Sequence, residues 1–105
     1  MEKPNLSYIK SLSGGEAEFE KKLIGIIKEE FPREKSIYFE NLNAENYVKA
    51  ANDVHKLKHK ISILGLEKSY DIAVDYENDL RENNLKLKDN FENILKIITE
   101  YVMTL

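Results

Sequence analysis

The stretch Tyr47-Val48-Lys49-Ala50-Ala51-Asn52-Asp53-Val54-His55-Lys56-Leu57-Lys58-His59-Lys60-Ile61-Ser62-Ile63-Leu64-Gly65-Leu66 carries the apolar series Tyr47, Ala50, Val54, Leu57, Ile61 and Leu64. The steps between them are 3, 4, 3, 4 and 3, which is the period of a helix with one buried face. Gly65 ends that helix, because glycine accepts the left-handed conformation at little cost. A second stripe begins at once: Leu66, Ser69, Ala73, Tyr76 and Leu80 run to the Asn83-Asn84 turn. Two amphipathic helices joined by so short a turn fold back on one another.

The same period extends in both directions. Leu87, Phe91, Ile94, Ile98, Tyr101 and Leu105 mark a last helix. Upstream, Ser13-Gly14-Gly15-Glu16 has the form of a capping box opening a helix with Phe19, Leu23, Ile26 and Ile27 on its apolar face. Pro32 lacks an amide hydrogen and is expected to kink or break that helix, leaving Ile37, Phe39 and Leu42 as a second piece. Asn43 is placed to cap the helix that follows, and a short helix is expected near Leu6–Leu12. No segment alternates as a strand does. The expected fold is all-α: an up-and-down antiparallel four-helix bundle with a short N-terminal helix, forming one domain over residues 1–105.

Composition narrows the function classes. No apolar run approaches the ~20 residues of a membrane span, and the N-terminus lacks the basic start and apolar stretch of a signal peptide. With no cysteine there is neither disulfide nor thiolate metal site. A soluble cytoplasmic protein is expected, and a start at Met1 with a helical end at Leu105 suggests a free one. The net charge of −3 argues against general binding to nucleic acid. Charge is unevenly spread, however. Between Lys49 and Lys60 stand four lysines and two histidines against one acid, Asp53. One basic helical face on an acidic chain is suited to an acidic partner.

His55 follows core position Val54 and so lies about 100° round the helix from it. Lys58, His59 and Ser62 stand three, four and seven residues further on and share its face. The turn at Gly65-Leu66 places Glu77 opposite. His55 precedes the turn by ten residues and Glu77 follows it by eleven, each roughly 15 Å along its helix. A carboxylate there can accept the Nδ1 proton of His55 and leave the Nε2 lone pair free, as a nucleophilic imidazole requires. Arg81 lies on the same helix, about a turn below His55, as a weaker source of positive charge.

His55, Leu57, Lys58, Ser62 and Gly65 stand in register with a His-x-Leu-Lys-Gly-x-small-x-x-x-Gly pattern. The segment resembles the signature of histidine-containing phosphotransfer (HPt) domains, strongly from about Asn43 to Leu80 and in general pattern beyond. His59 occupies the position where that family usually has glycine. The resemblance implies that His55 is the phosphoacceptor, that Lys58 neutralises the phosphoryl group, and that Glu77, 22 residues on, orients the imidazole. It implies a monomeric carrier between receiver domains of hybrid histidine kinases and response regulators, with Mg²⁺ supplied by the receiver and no cofactor of its own. There is no Gly-rich phosphate loop, so no ATP binding and no autokinase activity are expected. His59 is expected to be a tolerated substitution, able to offer a donor or a positive charge to the phosphoryl group. Ser62, being small, leaves room for a partner to approach. Two other readings remain open: a helical docking module without transfer chemistry, and a metal site on His55 and His59 completed by Glu77 or Asp53.

Overall fold

The computed structural model describes residues 2–105. Five helices follow in order: α1 (Ser7–Ser13), α2 (Ala17–Asn43), α3 (Tyr47–Ile63), α4 (Glu67–Arg81) and α5 (Lys88–Val102). Among the described residues there is no strand, and no helix is long and apolar enough to cross a membrane. α3 packs on both α2 and α4, α5 touches α4 and α2, and α1 lies against α2. Side-chain pairs between neighbours run in opposite directions along the chain. His55 pairs with Glu77 and Asn52 with Arg81 across α3 and α4, while Lys35 meets Thr99 and Tyr38 meets Glu92 across α2 and α5. These helices are therefore antiparallel. At 1.5 Å per residue the 27-residue α2 is about 40 Å long, which accounts for the 43 Å long axis of the molecule.

The apolar stripes of α3, α4 and α5 form the core. Ala50, Val54, Leu57, Ile61, Leu64, Leu66, Ala73, Tyr76, Leu80, Phe91, Ile94 and Ile98 are all buried. The core face of α2 is different from the one its sequence suggests. Ile27, Phe31, Tyr38 and Leu42 are buried, whereas Phe19, Ile26 and Ile37 are exposed. Pro32 lies inside α2 without ending it. Its ring is exposed, and so is Lys28, whose carbonyl Pro32 cannot serve. Water can satisfy that carbonyl, while Phe31 and Tyr38 anchor the helix on either side of it.

The caps also differ from expectation. Ser13 is the last residue of α1, its hydroxyl donating to the Lys10 carbonyl at 2.9 Å. Gly14 then turns left-handed to close α1, and α2 starts at Ala17, with Glu16 at its N-cap position making no side-chain cap bond. The glycine pair thus separates Ser13 from the helix it was expected to cap. Asn43 is still inside α2, and Asn46 caps α3 by accepting from the Lys49 amide at 3.4 Å.

Gly65 has φ +78°, as its place at the end of α3 requires. A Cβ there would also lie 2.6 Å from the Asn5 side chain. The Asn5 amide donates to the Leu64 carbonyl at 2.9 Å, and the Glu2 carboxylate accepts from the first amides of α4, those of Lys68 and Ser69, at 2.8 and 2.9 Å. The N-terminal segment therefore straps the turn that aligns α3 with α4. On the far side of α3, buried polar pairs hold it against α2. Asn41 donates to Asp53 at 2.6 Å, and Lys60 reaches Glu30 at 2.7 Å and Glu34 at 3.3 Å.

Candidate functional site

The turn and its strap fix how far α3 and α4 slide past one another, and that registration brings His55 level with Glu77. Val54 is in the core, so the next side chain emerges at the helix edge. The His55 side chain is 52% exposed. Glu77 follows the buried Tyr76 and is itself nearly buried, leaning into the seam between the two helices. The His55 Nδ1 lies 3.3 Å from both Glu77 carboxylate oxygens. A carboxylate only accepts, so Nδ1 carries a proton, and in the neutral ring Nε2 is the nitrogen that keeps its lone pair. Nε2 has no hydrogen-bond partner among the described residues.

Two cations share the same carboxylate. Lys58 Nζ donates to Glu77 Oε1 at 3.1 Å, and Arg81 donates to Glu77 Oε2 at 3.2 Å. Burial pushes the Glu77 carboxyl upward, but the Lys58 and Arg81 hydrogen bonds, the Lys58 charge and the His55 contact outweigh it and hold it below the usual carboxylate range. Glu77 is therefore a fixed negative charge under the imidazole.

Lys58 does not stand free beside the ring, as the sequence pattern implied. Its side chain is only 12% exposed and is drawn inward to Glu77, with Nζ 5.8 Å from the centre of the Tyr70 ring. Arg81 is nearer the site than its place a turn below His55 suggested. Its guanidinium bridges Glu77 and the side-chain oxygen of Asn52, the latter at 3.3 Å. The available signals were the four-residue spacing of Glu77 and Arg81 and the three-residue spacing of Asn52 and His55. Asn52, His55, Lys56, Glu77 and Arg81 line one open groove.

His59 sits one turn after His55 with its ring perpendicular to the first, centroids 5.2 Å apart. Both histidines are exposed. Ser62 is exposed in the last turn of α3 and makes no side-chain hydrogen bond among the described residues. Asp53 points the other way, buried against α2 and held by Asn41. It is not brought to the histidines. Among the described residues no three His, Asp or Glu side chains are grouped to hold one metal ion.

The arrangement offers an unpartnered nitrogen on a half-exposed ring, its tautomer set by an ionised carboxylate, beside an open groove edged with positive charge. That is the equipment of a nucleophile toward a phosphoryl or acyl group. Comparison with protein-family models, curated proteins and solved structures finds no match to this chain.

Proposed function

We propose that this chain is an HPt-like phosphorelay carrier, accepting a phosphoryl group from a receiver-domain aspartate on His55 and passing it to another receiver. One observation carries the reading: Nδ1 of the half-exposed His55 ring rests on the nearly buried carboxylate of Glu77 while Nε2 has no partner among the described residues. A histidine kept for packing or for surface charge has no need of such an arrangement. The proposed architecture is an up-and-down antiparallel bundle of α2 to α5 with α1 set on one side. Its support is the antiparallel pairing of successive helices and the return contact of α5 with α2.

In the transfer, the Nε2 lone pair attacks phosphorus as the bond from phosphorus to the aspartyl oxygen breaks, and the carboxylate leaves with that electron pair. No proton need move, since the ring keeps its Nδ1 proton and takes on positive charge that Glu77 offsets. Such a step depends on positioning and charge neutralisation more than on covalent help from the protein. Mg²⁺ would come with the receiver, in the cytoplasm the two proteins share. The carrier itself would act as a monomer without autokinase activity.

The basic face at Lys56 suits an acidic receiver pocket. Ile37, exposed in the groove it shares with Lys56, and Tyr8 and Leu12 on α1 offer apolar contact.

The test is incubation with a phosphorylated receiver and Mg²⁺, following label in wild type, His55→Gln and His59→Gln. Acid-labile label on wild type and His59→Gln, but not on His55→Gln, is the expected result. No label on any of them, across receivers from the same organism, would leave a docking module instead.

A further inference from the structure

The imidazole of His59 occupies a place that the phosphoryl reading leaves to be filled. A phosphoryl group on His55 would add two negative charges at Nε2. The resemblance assigns their neutralisation to Lys58, but Lys58 is 12% exposed and bound to Glu77. Arg81 is shared between Glu77 and Asn52 on the α4 side of the ring. Nδ1 faces that same side, so Nε2, on the opposite edge of the ring, turns away from both.

His59 is the remaining exposed cationic candidate beside the His55 ring, one turn along α3. A helical side chain leans toward the turn before it, which carries the His59 ring back over His55 and accounts for the 5.2 Å centroid distance. A phosphorus atom bonded to Nε2 would stand about 3 Å from the His55 centroid, a displacement comparable with the gap between the two rings, so a rotation of the exposed His59 side chain can bring a donor to it. No hydrogen bond within the protein engages the His59 side chain among the described residues, so its donors are available.

We propose that His59, as imidazolium, is the residue that hydrogen-bonds and neutralises the phosphoryl group on His55, and that its contribution to loading therefore grows as pH falls. This rests on the phosphorelay reading above and names a regulation of that same site.

The charged groups around it determine the sign. From α4 the site is faced by Glu77 and Arg81, and Tyr70 lies beside Lys58. From α2, Glu30 and Glu34 are engaged by Lys60 on the far side of α3. On α3 itself the neighbours are His55, Lys56 and Lys58. Lysine and arginine keep their charge across the neutral range and only histidine changes there; a proton on Nε2 of His55 itself opposes loading, equally in wild type and His59→Gln, so the ratio of those two isolates His59. Lys56 can add attraction, but not attraction that varies with pH.

Phosphorylation should raise the His59 midpoint, because a nearby dianion favours the charged ring; a rise of about one unit is expected for opposite charges at this range. Linkage then works in reverse: lowering the pH through that window favours the phosphorylated form of wild type over that of His59→Gln by up to about tenfold.

The chain has only these two histidines, so their ring signals are easily told apart. ¹⁵N-labelled protein would be loaded with phosphoramidate, which needs no receiver, and both rings titrated by NMR before and after loading. In parallel, the loading equilibrium with a phosphorylated receiver would be compared between about pH 8.5 and 5.5, spanning the ordinary histidine range, in wild type, His59→Gln and Lys56→Gln. The proposal expects the rise in the His59 midpoint and a wild-type to His59→Gln loading ratio that grows as pH falls. Lys56→Gln should shift loading equally at every pH. If His55 is loaded and the His59 midpoint moves by less than about 0.2 units, against the expected unit, the proposal is overturned and the carrier reading stands. If neither donor loads His55, the carrier reading falls and this one with it.

Discussion

At Glu77, His55, Lys58 and Arg81 all converge on one nearly buried carboxylate. Its neutral replacement separates two roles. Glu77→Gln keeps an acceptor for Nδ1 but not the charge that offsets a phosphorylated ring, so phosphoryl acceptance should fall by about tenfold, near 1.4 kcal/mol, with helix content unchanged by circular dichroism. An unaltered rate would remove Glu77 from the mechanism. The same residue gives a pH signature. Its folded value lies below the ordinary 4.5, so between the two the unfolded chain binds more protons. The stability it contributes is complete above the ordinary value and is lost as pH falls through the lowered one. Glu2 and Glu30 are lowered too, so the quantity to measure is the difference between wild type and Glu77→Gln in denaturant unfolding. That difference should shrink on acidification through this window. Much of this residue-scale picture was legible: equal distance from the Gly65 turn sufficed to pair His55 with Glu77. Where Lys58 and Arg81 would end was not. Spacing assigns a long side chain to a face, and a buried carboxylate beside that face then decides which way the flexible stem bends.

Among the helices, α2 and the α3–α4 turn carry the informative differences. A proline inside a helix normally costs about 3 kcal/mol relative to alanine. Because Pro32 is exposed and α2 runs on through it, Pro32→Ala should raise stability by about 1–3 kcal/mol without changing the fold. A loss of stability in denaturant melts would mean that the proline shapes α2 in a way its neighbours need. Gly65→Ala should do the opposite. The left-handed conformation costs an L-residue roughly 1–2 kcal/mol, and the added Cβ would crowd the Asn5 side chain. Because that turn registers His55 against Glu77, the variant should also accept phosphoryl groups more slowly; a slower rate with unchanged melting would still fit, and no effect on either would not. The stripes of α3, α4 and α5 could be read directly because each repeats without interruption. In α2 the two strongest core residues, Phe31 and Tyr38, flank the proline, so a local rule about proline divided a face that tertiary packing keeps whole. Tyr38 is also held from across the core, by the Tyr76 hydroxyl at 2.7 Å and by Glu92 at 3.1 Å, and no local pattern carries such a contact.

Over the whole molecule, an acidic chain keeps Lys56 and Arg81 exposed on the face that holds His55, while Lys58 and Lys60 are drawn inward to carboxylates. Attraction between that face and an acidic receiver pocket should act chiefly on the encounter rate. Transfer from a receiver should therefore slow as salt is raised, whereas loading by phosphoramidate, which requires no docking, should change little; equal salt dependence of the two would argue against electrostatic docking. The all-helical class and the pairing of α3 with α4 followed from periodicity alone, while the strapping of their turn by Glu2 and Asn5 joins segments more than fifty residues apart and left no mark in the pattern. All of this rests on one nitrogen atom. The most direct measurement loads ¹⁵N-labelled protein with phosphoramidate and identifies the phosphorylated ring nitrogen by its coupling to phosphorus. The prediction is a single product, on Nε2 of His55. Phosphorus on His59, on Nδ1 of His55, or on no histidine of a folded protein would contradict the account.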